Sequence, residues 1–426
     1  MSHSTGYEAP VQRLERMPGG AVAASLVLGL LGLIVFVAAL ATDAERAWRA
    51  YLFNWLFFAG VAQGAVMLAV VVTITKGLWS RPVRRFALSF IAFVPISFLL
   101  MLPIFFGAEH IFPWIEHPAA GKEAYLNVPF LVVRNVVFMG ALTVASLVFA
   151  YWALRPDLGL LREKESGSRR ALYERLTRNW RGQEVEETLA HKRIAVLGPI
   201  VALAYAFAFT VVAFDMVMSL DPHWLSTLIG AYFFMAAFLG GIAATTLLTI
   251  WYTRTLGDGP VMPQQFHDLG KLVFAFCVFW AYLFFSQFIV IWYGNLPHEQ
   301  SFVAHRFGTP YRAVAQMVFA GLFVLPFFGL LGVAPKRRPA ILAIFAAIVL
   351  VGLWLERYLL IYPSLYLDID NVPLGWQEIG MALPFAALLL ASIMWFGTRF
   401  PMYQLWQPIG ELELEGVQVE PEGVAS

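Results

Sequence analysis

Residues 194–220 read IAVLGPIVALAYAFAFTVVAFDMVMSL. Only Asp215 is charged in this run. About 20 consecutive apolar residues suffice to cross a bilayer as a helix, and this run is longer. The chain around it offers no polar shell to hide such a helix in water. Of its 426 residues, 60% are hydrophobic and 13% are charged. Similar runs recur along the sequence, giving ten expected spans at 18–42, 51–75, 86–107, 128–154, 194–220, 226–253, 271–293, 313–335, 339–361 and 376–398. No segment alternates as barrel strands do, so the backbone must satisfy itself within helices. The expected fold is an all-α, polytopic membrane protein. Ala39-Leu40-Ala41 could end a signal peptide, but the apolar run before it is too long for one.

The net charge of +1 argues against a nucleic-acid partner. A single cysteine, Cys277, rules out intrachain disulfides, cysteine-ligated iron–sulfur clusters and CxxCH haem attachment. The eight histidines lie outside the apolar runs or at their edges. No metal site and no covalently bound cofactor are therefore expected.

Basic residues orient the spans. Twenty-two of the 29 Lys and Arg fall on the side of the N-terminus, ten of them in the 155–193 loop, and five fall on the other side. Both termini should be cytoplasmic. Within RRALYERLTRNWRG of that loop, Leu172, Leu176 and Trp180 share one helical face among arginines. This pattern suits a helix lying on an anionic lipid surface or docking a partner. The acidic tail after Arg399 should be extended.

Three pairs of matches point to an internal repeat. Phe57-Phe58 and Gly64 answer to Phe233-Phe234 and Gly240. Pro129, Phe138 and Gly140 answer to Pro310, Phe319 and Gly321. Asp215 precedes Pro222 as Glu356 precedes Pro363. Spans 2–5 and 6–9 then form two four-helix bundles in parallel repeat, with spans 1 and 10 flanking. The corresponding divisions are 1–50, 51–225, 226–361 and 362–426.

Arg134, Asp215, Gln287, Glu356 and Arg357 each lie five or six residues from the outer end of a span, roughly 8–9 Å deep at 1.5 Å per residue. An ion facing lipid there would cost on the order of 2–3 kcal/mol, so these groups should face bundle interiors and pair. Two readings stand: a structural ion pair between Arg134 and Asp215, or an outer-leaflet site that handles protons. Asp221 and His223 would connect such a site to water, or simply form the turn between spans 5 and 6. On the cytoplasmic side, Asp268 suits a helix N-cap. Alternatively His267, Asp268 and Lys271 form a proton mouth continued inward by Tyr282 and Ser286.

Two segments, MSLDPHWLST (218–227) and HDLGKLVFAFCVFWAYLFFSQFIVIWYGNLP (267–297), resemble the NrfD/polysulfide-reductase family of membrane subunits. The resemblance is to the smaller of two homologous quinol-type subunits of bacterial alternative complex III. It implies a respiratory quinol:cytochrome c oxidoreductase in the bacterial cytoplasmic membrane. The implied partners are a sister membrane subunit, a periplasmic iron–sulfur subunit, c-type cytochrome subunits and lipids. Haem and iron–sulfur centres would sit in those partners, and the mobile substrate would be a quinone such as menaquinone. It places Asp215, Asp221 and His223 at the first motif and His267, Asp268 and Lys271 in the second. Glu109 and His110, at the end of span 3, are the quinone-facing candidates, though the sister subunit is the stronger candidate for the working quinol site. The rival readings are a secondary transporter, which parallel repeats and buried charges also fit, and a purely structural anchor for periplasmic redox subunits.

Overall fold

The computed structural model describes residues 13–257, 259–367 and 369–406. It contains ten helices long and apolar enough to cross a membrane: α1 (Gly19–Thr42), α2 (Ala44–Ile74), α3 (Leu78–Phe106), α4 (Val128–Leu161), α5 (Gln183–Leu220), α6 (Ile229–Leu256), α7 (Pro263–Gly294), α8 (Arg312–Gly329), α9 (Pro339–Leu365) and α10 (Trp376–Arg399). No strand occurs among the described residues. The chain is thus an all-α polytopic membrane protein.

Local sequence sets the helix ends. Asp43 opens α2, its Oδ1 accepting from the Arg46 amide at 3.0 Å. Asn127 opens α4 in the same way, accepting from Phe130 at 3.0 Å, with a proline in the first turn. Asn295 closes α7 in the left-handed region, at φ 49°. Within α3 the helix breaks between Ser89 and Val94, because Pro95 lacks an amide hydrogen and crowds the preceding turn. A π-turn at Ala320–Val324 interrupts α8.

Helices α2, α3, α4 and α5 pack as a closed ring of neighbours, and α6, α7, α8 and α9 pack as a second. The rings meet through α2 against α6, and through α5 on α6 and α9 on α2. The last two contacts exchange when the rings are swapped, as a parallel repeat requires. α1 and α10 pair with each other and lean on α2.

The α2–α6 seam is closest where Gly60 and Gly64 face Ala237 and Gly241. A Cβ on Gly64 would lie 2.1 Å from the Ala237 carbonyl oxygen. Small residues four apart let two backbones meet, which drives helix association where lipid supplies no hydrophobic force. The seam is the core: α2 is 78% buried and α6 72%, against 6% for α1.

One expectation about the 155–193 segment is corrected. α4 runs through Pro156 to Leu161, leaving only Gly167–Leu176 as a loop helix. Its apolar side packs on the protein itself. Tyr173 is fully buried and donates to the Arg399 carbonyl at 2.7 Å, while Leu172 and Leu176 abut the core. Trp180 lies against Gly159. The face assigned to lipid or a partner is therefore largely spent on the fold. The chain beyond Arg399 is likewise docked as far as Trp406. The Asp157 carboxylate accepts from the amides of Leu405 and Trp406 at 3.1 and 2.9 Å and pairs with Arg85. The acidic stretch from residue 407 lies outside the described residues.

Candidate functional site

The structure brings Arg134 and Asp215 together. Arg134 Nη2 and Nε donate to the two carboxylate oxygens at 2.8 and 3.0 Å, and Asn135 Nδ2 adds a third bond at 2.8 Å. Asp215 is wholly buried and Arg134 nearly so. The guanidinium also donates to the Tyr125 carbonyl at 3.0 Å and lies 3.8 Å from the Tyr125 ring centre. Burial, with the Asp215 charge second, pushes the Tyr125 hydroxyl up to about 12. The three side-chain bonds to the Asp215 carboxylate all come from α4.

Glu356 occupies the matching helix of the second ring, and its surroundings differ. Arg357, its sequence neighbour, approaches it at 3.3 Å. The Tyr232 hydroxyl and Trp280 indole face the carboxylate, yet neither oxygen has a closed hydrogen bond. Arg357 Nη2 is turned to the Phe233 carbonyl at 3.1 Å and its guanidinium lies over the Phe233 ring at 3.8 Å. Both side chains are 2% exposed, so one ionic contact in a dry interior must offset two desolvated charges. α9 continues to Leu365, four residues past the expected end, which puts Glu356 roughly 13 Å from the helix terminus rather than 8–9 Å. Tyr232 lies in the first turn of α6, so the carboxylate still belongs to that end of the bundle.

The remaining candidates divide. Gln287 accepts from the Ser226 hydroxyl at 2.5 Å, tying α7 to the 221–228 turn. Asp221 is half-buried in that turn and His223 is exposed. The residue that holds the turn is Trp224, fully buried and stacked on Phe302 at 3.5 Å, while Lys122 donates to the Pro222 carbonyl. Glu109 and His110 lie on a separate turn, Ala108–Ile111, beyond the end of α3, and both are exposed. Neither lines the cavity walled by Ile250, Phe266 and Ile341 or the one walled by Phe307, Phe319 and Val324.

At the other end of the bundle, Asp268 is not the cap of α7. The helix starts at Pro263, and Gln265 accepts from the Met262 amide at 2.8 Å. Asp268 sits in the second turn instead, paired with Lys271 at 2.7 Å and with Gln264 at 3.1 Å. His267 Nδ1 is 3.8 Å from Asp268. Tyr282 is 62% exposed on the outer face of α7, so no inward line runs through it.

Sequence reading passed over Glu378. Its wholly buried carboxylate takes a bidentate Arg46 at 2.7 and 2.8 Å, the Tyr362 hydroxyl at 2.8 Å and the Gly375 amide at 2.7 Å. Tyr362 stacks between Tyr358 and Tyr366, with centroids 4.2 and 5.4 Å away. The four-residue spacing of Tyr358, Tyr362 and Tyr366 in the sequence was the available signal. Buried Arg306 was also missed; it donates to the Phe302 and Leu360 carbonyls and to Ser364, and burial lowers its guanidinium to about 9. Among the described residues no three His, Cys, Asp or Glu side chains converge as a metal site would need.

No family model matches the chain, and no curated protein matches its sequence.

Proposed function

We propose that the chain is an NrfD-like integral subunit of a quinol:cytochrome c oxidoreductase, and that it carries protons through its second helix ring. In this reading it lies in the bacterial cytoplasmic membrane with the 155–193 side in the cytoplasm. Electrons pass through haem and iron–sulfur centres of partner subunits, beside a sister membrane subunit. The resemblance of the 218–227 and 267–297 segments supports the family.

The observation that carries the proton role is Glu356: a carboxylate buried to 2% exposure whose oxygens have no closed hydrogen bond. A buried carboxylate whose oxygens are not closed by hydrogen bonds has lone pairs free to take up a proton. Tyr232 and Arg357 stand beside it to exchange a proton and to steady the anion. Asp215 has three donors and is assigned here as a structural counter-ion. The transporter reading is less favoured, because the helix interruptions fall in α3 and α8, which are not equivalent positions of the two rings.

The test is Glu356→Gln in the intact complex, reconstituted in vesicles. Protons moved per electron should fall while quinol:cytochrome c electron transfer persists. An assembled variant with an unchanged ratio would leave the subunit as an anchor for redox partners.

A further inference from the structure

We propose that the end of the molecule opposite Glu356 holds a specific site for an anionic phospholipid, between α6, α7 and α9. A cavity of about 560 Å³ opens there, and Arg254, Arg337 and Arg338 line it. Three cations on one cavity call for a counter-charge, and no carboxylate among the described residues supplies it. Among the described residues none of the three has an ion-pair or hydrogen-bond partner through its side chain. The nearby carboxylate, Asp268, is already taken by Lys271 at 2.7 Å and Gln264 at 3.1 Å. The first turn of α9, Pro339 to Ile341, forms another wall. A helix N-terminus carries partial positive charge and free amides, and adds to the attraction for a phosphate.

The apolar part of the cavity identifies the anion as a lipid headgroup. Ile250, Phe266 and Ile341 line the same space. Along α9, further toward the middle of the span, Ile344 and Val351 are each 59% exposed, in line with Ile341 on the outer face. A phosphate between the arginines would lay its acyl chains along that stripe. A free phosphate would use only the polar half. Basic pockets between helices near a membrane surface are suited to acidic headgroups.

The experiment titrates the purified full chain, in a neutral detergent, with micelles carrying phosphatidylglycerol. Phosphatidylcholine micelles and inorganic phosphate are separate arms, and the readouts are bound lipid phosphorus and the shift in Tm. The variants are the triple Arg254→Gln/Arg337→Gln/Arg338→Gln and a control triple, Arg175→Gln/Arg178→Gln/Lys192→Gln, whose side chains are exposed elsewhere on the same end. Saturable binding of phosphatidylglycerol is expected. It should weaken about fivefold per arginine removed from the cavity and fall as salt rises. Equal loss in the control triple would mean diffuse surface charge and overturn the site. Equal stabilisation by inorganic phosphate would overturn the lipid assignment. Unchanged binding in the cavity triple, with its Tm in phosphatidylcholine intact, would refute both.

Discussion

If Asp215 is a structural counter-ion, its removal and the removal of Arg134 should be costly alone and mutually compensating together. The pair is bidentate, at 2.8 and 3.0 Å, with 8% and 0% side-chain exposure. Breaking a pair buried to this degree typically costs about 3–5 kcal/mol, because the surviving charge stays desolvated. Arg134→Leu strands the carboxylate with Asn135 as its one remaining side-chain amide donor. Asp215→Leu strands a guanidinium that keeps the Tyr125 carbonyl and the Tyr125 and Phe130 rings, at 3.8 and 4.1 Å. That residual shell places Asp215→Leu at the lower end of the range and Arg134→Leu at the upper end. Replacing both charges by apolar groups removes the desolvation cost along with the attraction. Such replacements are often neutral or stabilising. The double variant should therefore be at least about 2 kcal/mol more stable than Arg134→Leu. The assay is reversible unfolding in mixed detergent micelles as a double-mutant cycle. Additive losses, or single losses below about 1 kcal/mol, would refute the counter-ion assignment.

Three other outcomes follow from the packing and the charge pattern. Gly64→Val places a Cβ 2.1 Å from the Ala237 carbonyl, so α2 and α6 must part by about 1 Å or more; a loss of at least about 1–3 kcal/mol in the same assay is expected. Glu378→Gln keeps the size but breaks the Arg46 ion pair, and should lower Tm, while Tyr362→Phe, which removes one bond of about 1 kcal/mol, should lower it less. Reporter fusions at Gly167 should be active in the cytoplasm, from the distribution of Lys and Arg; periplasmic activity there would reverse the orientation.

The spans were legible in one dimension because a bilayer imposes a length and a composition on each of them, and the 194–220 run of α5 with its lone Asp215 shows it. The repeat was legible because equivalent helices keep Asp215 and Glu356 at the same spacing before Pro222 and Pro363. What one dimension does not carry is which side of a helix faces protein. Tyr173 was overlooked beside Leu172 and Leu176 because a loop helix that lies on lipid and one that lies on protein share the same amphipathic pattern. Asp268 suits a cap if α7 starts at the expected residue 271, but the helix starts at Pro263, about two turns earlier. Glu378 looked like an ordinary acid of a first turn until Arg46, 332 residues away in sequence, met it. The difference between Asp215 and Glu356 was equally invisible. Both are lone acids in apolar helices, and their chemistry diverges because Arg134 and Asn135 reach one across a helix interface, whereas the other meets an arginine on its own helix whose free hydrogen-bonding arm is turned to Phe233. Hydrophobic length is a property of each segment and survives in the sequence; the donors around a buried charge come from other helices, so only the tertiary structure decides them.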